Sequence, residues 1–361
     1  MISDDPPGFD LDAHIDLDFN TVDSTELPEV EAEITLLLHE NGLELDKQID
    51  NFVVCRDDGR LVGCAGFDRY VIKDVAVAPG LHGNAVSLRL GSAVTKLAAD
   101  HGYHDLFLYC RPDNVQRFRG WAFHPLVEIP GVIALMENNP VALPKYLEKL
   151  SREHHPGKTI GGVVLNANPF TLGHRFLVEK AANDCDWLHV FVVKEEAAQF
   201  SYADRFRLVV EGVADIGNVT VHHGSKYIIS RATFPGYFLK EKAKIESSFT
   251  GLDLLMFRER IAPALGINRR YVGTEPLDAT TNSYNASMKY WLADAPSTAA
   301  PIATVMIERL AVGGAPVSAS KVRALLDERD FSAIKRLVPS TTLAFLKPQA
   351  IPAGDRKQGD W

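Results

Sequence analysis

The stretch from 160 to 183, IGGVVLNANPFTLGHRFLVEKAAN, constrains the fold more than any other part of this chain. Six apolar residues, Ile160 to Leu165, end in the polar turn Asn166-Ala167-Asn168-Pro169-Phe170-Thr171. Thr171-Leu172-Gly173-His174 then opens an amphipathic segment. A short, wholly apolar run bounded by a turn reads as a buried parallel strand, and the change of period after it reads as a helix. Open α/β sheets bind ligands at the carboxyl ends of their strands. A helix N-terminus there offers unpaired N–H groups and the positive end of its dipole to a phosphate. Gly173 lets a nucleotide approach the backbone, Thr171 adds a hydroxyl and His174 adds a ring-nitrogen donor. Taken alone, the same residues also suit a plain helix start with Thr171 as N-cap.

The alternation continues downstream. Strand signals fall at 187–193, 219–222, 270–273 and 302–307, and helical signals at 204–214, 236–264 and 284–293, with last helices starting near Ser318 and Phe331. Strands alternating with helices predict a Rossmann-like, doubly wound parallel sheet. Upstream, strand-like runs at 51–55 and 61–67 flank Asp57-Asp58-Gly59-Arg60, a hairpin signal. A strand at 71–77, a helix at 85–99 and a strand at 106–110 follow, giving a first α/β domain. The expected organisation is an acidic lead-in at 1–30, a first domain at 31–150, a polar linker at 151–158, a second domain at 159–348 and a tail at 349–361.

Composition narrows the partners. A chain of 361 residues, 46% hydrophobic, can fill two cores. A formal net charge of −9 argues against a nucleic-acid backbone as partner, which needs a basic face, but not against a nucleotide, which needs a few local cations. The acidic, proline-broken N-terminus reads as neither signal nor transit peptide, and no apolar run approaches the ~18 residues of a membrane span. The four cysteines, Cys55, Cys64, Cys110 and Cys185, form no CxxC pair, so reduced thiols and a cytoplasmic location are expected. His154-His155 and His222-His223 lack the spaced partners of a metal site and read as ordinary histidines.

Further groups cluster at predicted strand ends. Ser318 can cap a helix whose first turn presents Ser320, Lys321 and Arg323, the last with a forked guanidinium suited to phosphate. Tyr271-Val272-Gly273-Thr274-Glu275 has the same strand-then-polar-turn form: Gly273 allows close approach, with Thr274 beside it, and Glu275 suits ribose or adenine. Lys194 and Arg205 are candidate phosphate contacts, and Asn168 and Phe170 of the first turn join the nucleotide-binding set. Each of these taken singly also has a bland reading as a solvated charge or a cap.

Thr171-Leu172-Gly173-His174 resembles the T/HxGH signature of the nucleotidyltransferase superfamily. In the first domain, Gly80-Leu81-His82-Gly83-Asn84-Ala85 resembles the pyrophosphate loop of GNAT-type acetyltransferases, with the Gly83-x-Ala85 half present and Gly80 departing at its first position. Asn114 to Phe123 resembles a later segment of that fold, and no general base for amine acetylation is evident. In order, the stretches 166–174, 218–222, 227–235, 257–267, 272–276 and 318–323 resemble the citrate lyase ligase family over roughly residues 45–330.

That resemblance implies an enzyme that activates acetate with ATP, forming acetyl-adenylate and pyrophosphate. It then transfers the acetyl group to a thiol on the acyl carrier (gamma) subunit of citrate lyase. That thiol belongs to a dephospho-coenzyme-A-like prosthetic group. Mg2+ on the phosphates is implied, with His174, Thr171 and Arg323 as the catalytic set. The acetyltransferase-like domain would dock the coenzyme-A-like arm. Two other readings remain open on the residues alone: a plain nucleotidyltransferase making a nucleotide conjugate, and a non-catalytic protein that binds coenzyme A or an acyl carrier. An aminoacyl-tRNA synthetase is disfavoured by the acidic charge.

Overall fold

The computed structural model describes residues 17–46, 48–49, 51–81, 85–194, 199–228, 242–274 and 285–349. The chain divides into two compact units, the first built largely from residues up to Pro125 and the second from Val141 onward.

The first unit is made by short-range pairing. Strands β1 (Leu17–Val22), β2 (Asn51–Asp57), β3 (Arg60–Asp68) and β4 (Val71–Val77) form an antiparallel meander. Asp58 and Gly59, at φ 47° and 78°, make the left-handed two-residue turn that the twist of β2 and β3 requires. Strands β5 (Phe107–Cys110) and β7 (Ile133–Glu137) extend the sheet of this unit in the order β1-β2-β3-β4-β5-β7, while most of the intervening β6 (His124–Ile129) belongs to the second unit. The β4–β5 pair is parallel and its register holds at two positions, Val71 with Phe107 and Ile72 with Leu108. Helices Leu27–Glu40 and Ala85–Asp100 supply Ile34, Leu37, Leu38, Leu90, Val94 and Ala98 to its core. Strand β1 and helix Leu27–Glu40 both begin inside the stretch expected as an acidic lead-in. Leu17, Phe19 and Val22 pack toward the core while the acidic groups stay in solvent.

The second unit carries five parallel strands: β8 (Ile160–Leu165), β9 (Trp187–Val192), β10 (Val219–His223), β11 (Arg269–Gly273) and β12 (Ala303–Ile307). Their order is β10-β9-β8-β11-β12, so the winding reverses between β8 and β11. This is the doubly wound sheet the alternation predicts, with a topological switch point at the end of β8. Apolar residues of β8, β9 and β11 pack against Val178, Leu208 and Val209 of helices Leu172–Asn183 and Tyr202–Gly212. A helical cap follows: Ala319–Asp327, Phe331–Ile334 and Ser340–Gln349, packed on Val317, Val322, Leu337 and Leu346. The backbone carbonyl of Leu337 accepts the N–H of Leu172 at 2.8 Å, which ties this cap to the start of the first helix.

Helix Ala142–Ser151 carries Pro144 in its first turn, where a proline removes only an N–H that has no helical partner. The segment expected as a linker is pinned. Asp186 accepts the N–H groups of Lys158 and Thr159 at 2.7 and 2.9 Å, and His155 stacks on Trp187 at 3.5 Å between centroids.

His189 of β9 is fully buried, with Nδ1 2.9 Å from Nε2 of His222 on β10. Among the described residues no group of three or more His, Cys, Asp or Glu is placed to hold a metal. Burial, with the neighbouring histidines, pushes His189 down to about 3 and His222 to about 4 from 6.5. The unfolded chain takes protons on these rings below about 6.5, whereas the folded chain resists until near their lowered values, so stability falls as pH falls through that window. Each tenfold loss of proton affinity on folding is worth about 1.4 kcal/mol, so the pair costs a few kcal/mol by pH ~4. Thermal melts at stepped pH should show this loss. A His189→Asn, His222→Asn double variant, which cannot take up the protons, should show a flatter slope. An equal slope in both proteins would assign the loss to other groups.

Candidate active site

Strand β8 ends in a turn held from beneath. Ala167, fully buried, sits at φ 51°, a left-handed conformation that costs a non-glycine residue energy and survives only where its surroundings fix it. The fixing group is Arg205, fully buried on helix Tyr202–Gly212. Its Nη1 donates to the carbonyl of Asn166 at 2.6 Å, to Asn166 Oδ1 at 3.0 Å and to the carbonyl of Val193 at 3.0 Å. One guanidinium thereby joins the carboxyl ends of β8 and β9.

The turn delivers Thr171 to the N-cap of helix Leu172–Asn183. Thr171 Oγ1 accepts the N–H of His174 at 3.3 Å, and His174 Nδ1 accepts the N–H of Thr171 at 3.0 Å. This is a capping box with histidine in the place usually taken by Glu or Gln. Because Nδ1 accepts, the neutral ring carries its proton on Nε2. Burial, aided by the charge of Arg309, holds His174 down at about 4, so the imidazole is neutral at physiological pH. The bland reading of Thr171 as a cap and the functional reading of His174 as a donor are thus one arrangement.

A second helix start lies against the first. After the hairpin of Ala311–Val312 and Ala315–Pro316, Ser318 caps helix Ala319–Asp327 by accepting the N–H of Lys321 at 3.2 Å. A Cβ on Gly173 would stand 3.1 Å from the carbonyl oxygen of Val317, so the missing side chain serves the close approach of the two chain segments. Arg323 reaches across, donating from Nη1 to the carbonyl of Asn168 at 2.6 Å and from Nη2 to Ser320 Oγ at 3.2 Å.

Between these two helix starts and the ends of β8, β11 and β12 lies a cavity of about 610 Å³. It brings together eight of the residues singled out in the sequence: Asn168, Thr171, Gly173, His174, Gly273, Ser318, Ser320 and Arg323. Five others are placed differently, and a sixth is not described. Phe170 is fully buried and stacks on His174, so it belongs to the core beneath the ring. Arg205 is a buried brace whose Nη1 is held by carbonyl groups, which corrects its reading as a phosphate contact. Lys194 is exposed beyond β9, away from the cavity lining. Lys321 points to solvent and contributes its backbone N–H to the cap. Thr274 lies behind the lining, where its Oγ1 accepts the N–H of Arg309 at 3.2 Å. Glu275 lies outside the described residues.

Arg309 and Glu308, just past β12, line the cavity and were missed. The signal was available, since Arg309 follows a strand end as Lys194 does, but charge identity alone does not tell which strand end faces the switch point. Among the described residues the lining sets two helix N-termini and two guanidinium groups against one carboxylate, Glu308, so the cavity suits a polyanion.

The parallel sheet with this cavity at its switch point is a doubly wound α/β unit. Residues 160–346 match the model of the citrate lyase ligase C-terminal domain, and residues 17–121 match the acetyltransferase (GNAT) family. The chain is 46% identical to the [citrate [pro-3S]-lyase] ligase of Escherichia coli (strain K12), covering 88% of this chain and 90% of that one. It is 46% identical to the enzyme of the same name from Klebsiella pneumoniae (87% and 91%) and 42% identical to that from Haemophilus influenzae (87% and 94%). The chain belongs to the citrate lyase ligase family, and it is an enzyme of the ligase class. No helix among the described residues is long and apolar enough to cross a membrane.

Arg205→Met should act on stability rather than on ATP binding. It leaves the carbonyls of Asn166 and Val193 without their buried donor, at ~1–3 kcal/mol each. Denaturant melts should show a loss of at least ~2 kcal/mol. An unchanged midpoint together with a raised ATP requirement would return Arg205 to the phosphate-binding set.

Proposed function

We propose that the cavity at the switch point activates acetate with ATP, and that the acetyl group then passes to the thiol of the dephospho-coenzyme-A-like group on the citrate lyase acyl carrier. The observation that supports this most is His174: a neutral ring lining the cavity, its Nδ1 satisfied by the N–H of Thr171, so that Nε2–H is fixed as a donor. In the first step an acetate oxygen attacks the α-phosphorus of ATP. The bond to the bridging oxygen breaks, and pyrophosphate leaves with the electron pair. Charge grows on the phosphoryl oxygens, and a fixed donor such as His174 Nε2–H, with the positive end of the helix dipole, stabilises it without reorganising. Arg323 and Arg309 hold the leaving pyrophosphate. In the second step the carrier's thiolate sulfur attacks the acetyl carbon, the carbon–oxygen bond to AMP breaks, and AMP departs while the thiol proton passes to solvent.

Among the described residues the lining offers a cation one carboxylate, Glu308, and several neutral oxygens. Such a set fits a magnesium ion that arrives on the phosphates of ATP and neutralises part of their charge, rather than one caged by the protein. The relatives' names, which specify ligation of citrate lyase, support the choice of carrier. For the first unit, the acetyltransferase-family match and the small cleft lined by Val75, Tyr109, Cys110 and Arg111 support a role in holding the coenzyme-A-like arm. The glycine loop at Gly83 lies outside the described residues.

Acetate-dependent ATP–pyrophosphate exchange tests the first step. His174→Ala should lower the exchange rate ~10²–10³-fold with the fold intact, and near-normal exchange would refute the assignment. Arg323→Ala should raise the ATP requirement and slow the step, since its guanidinium is asked to hold the leaving group. An ATP dependence equal to the parent's would take Arg323 out of the site. Replacing Gly83 with Trp should leave exchange unchanged and slow acetyl transfer to the carrier. Transfer at the parental rate would make the first unit structural.

A further inference from the structure

Phe170 lies one residue before the N-cap, yet its ring is wholly enclosed and faces the His174 imidazole, with 5.8 Å between centroids and 15° between planes. Gly212, the last residue of helix Tyr202–Gly212, closes on the same ring. A Cβ at Gly212 would stand 2.7 Å from Cδ1 of Phe170 and closer still to Cε1, so no side chain fits there. Gly212 is itself held. Its carbonyl accepts Arg175 Nη1 at 2.6 Å, and Arg175 grips both carboxylate oxygens of Asp215 at 2.8 Å. Arg175 is the residue after His174, so the glycine and the imidazole are tied to each other by two routes.

We infer that Phe170 is a positioning residue for His174, and that Gly212 is glycine in order to seat it. The inference rests on the reading of His174 as the donor to the nucleotide. The bond from Thr171 N–H to Nδ1 fixes one atom of the imidazole but leaves the ring able to swing about that point. A flat aromatic face at stacking distance removes the swing and keeps water from one side of the ring. An error of ~1 Å in a transition-state donor costs about 10²-fold in rate, so the seat governs catalysis without touching substrate.

Phe170→Leu, Gly212→Ala and the double variant test this, with His174→Ala as reference. Folded fraction is measured by melting, exchange by its kcat and its KM for ATP, and the His174 ring by NMR, assigned through its loss in His174→Ala. Each single variant should lower kcat per folded molecule roughly 10- to 100-fold, with KM for ATP within about threefold of the parent. The His174 resonances should shift, and its titration should climb from about 4 toward 6.5. The double variant should be no slower than the slower single, because both act through one ring. Costs that multiply would show that Gly212 acts by another route, and this inference would fall. Unmoved His174 resonances with parental kcat would reduce Phe170 to core filling. If Gly212→Ala does not fold, Phe170→Leu decides by the same two readings. His174→Ala that exchanges normally would remove the nucleotide reading and this inference together. His174→Ala that is inactive beside fully active Phe170 variants would remove this inference alone.

Discussion

The reciprocal bond between Thr171 and His174 is the constraint on which the site depends. Two of the orphan N–H groups at a helix start are satisfied by it, and one of the acceptors is an imidazole nitrogen. A cap is ordinarily a matter of stability. Here the same bond decides which ring nitrogen holds the proton, and with it whether the side chain is a donor or a base. Structure and chemistry are not separable at this residue, and a variant that breaks the cap changes the tautomer as well as the helix.

The bond needs a turn of unusual shape, and the surrounding elements supply it. Ala167 in a left-handed conformation, Arg205 under the carbonyls of Asn166 and Val193, Phe170 beneath the ring and the cap helices tied through Leu337 all act on six residues. The parallel sheet makes this possible. Because β8 has neighbours on both sides and its winding reverses there, the chain that leaves it meets helices from both directions. A site at the edge strand would have had support from one side only.

Electrostatics are arranged locally against the trend of the whole chain. The protein carries a formal charge of −9, yet among the described residues the lining of the cavity sets Arg309, Arg323 and two helix starts against Glu308. Long-range attraction of a nucleotide would be weak for such a chain. On the proposed function, short-range, forked hydrogen bonding would do the selecting, by geometry rather than by steering in a field. The neutral His174 fits this scheme, since burial and Arg309 both oppose a second proton on the ring.

The sequence by itself determined the elements whose signal is local. The apolar run of β8, the Asp58-Gly59 hairpin, the Ser318 cap and the alternation of strands and helices were all legible, because each depends on the side chains of a few consecutive residues. Helices Leu27–Glu40 and Ala142–Ser151 were not, since a first turn that carries a proline, with Glu29 beside it in the former, looks like a loop until a core forms behind it. Within the site, the capping residues and Arg323 were readable from spacing. Whether Phe170 and Arg205 face the ligand or hold the turn from behind was decided only by tertiary packing. So was the place of Arg309, whose strand end lies at the lined side of the switch point while that of Lys194 does not. Local pattern fixes what a residue can do, whereas strand order and burial, which join positions more than a hundred residues apart, fix what it faces.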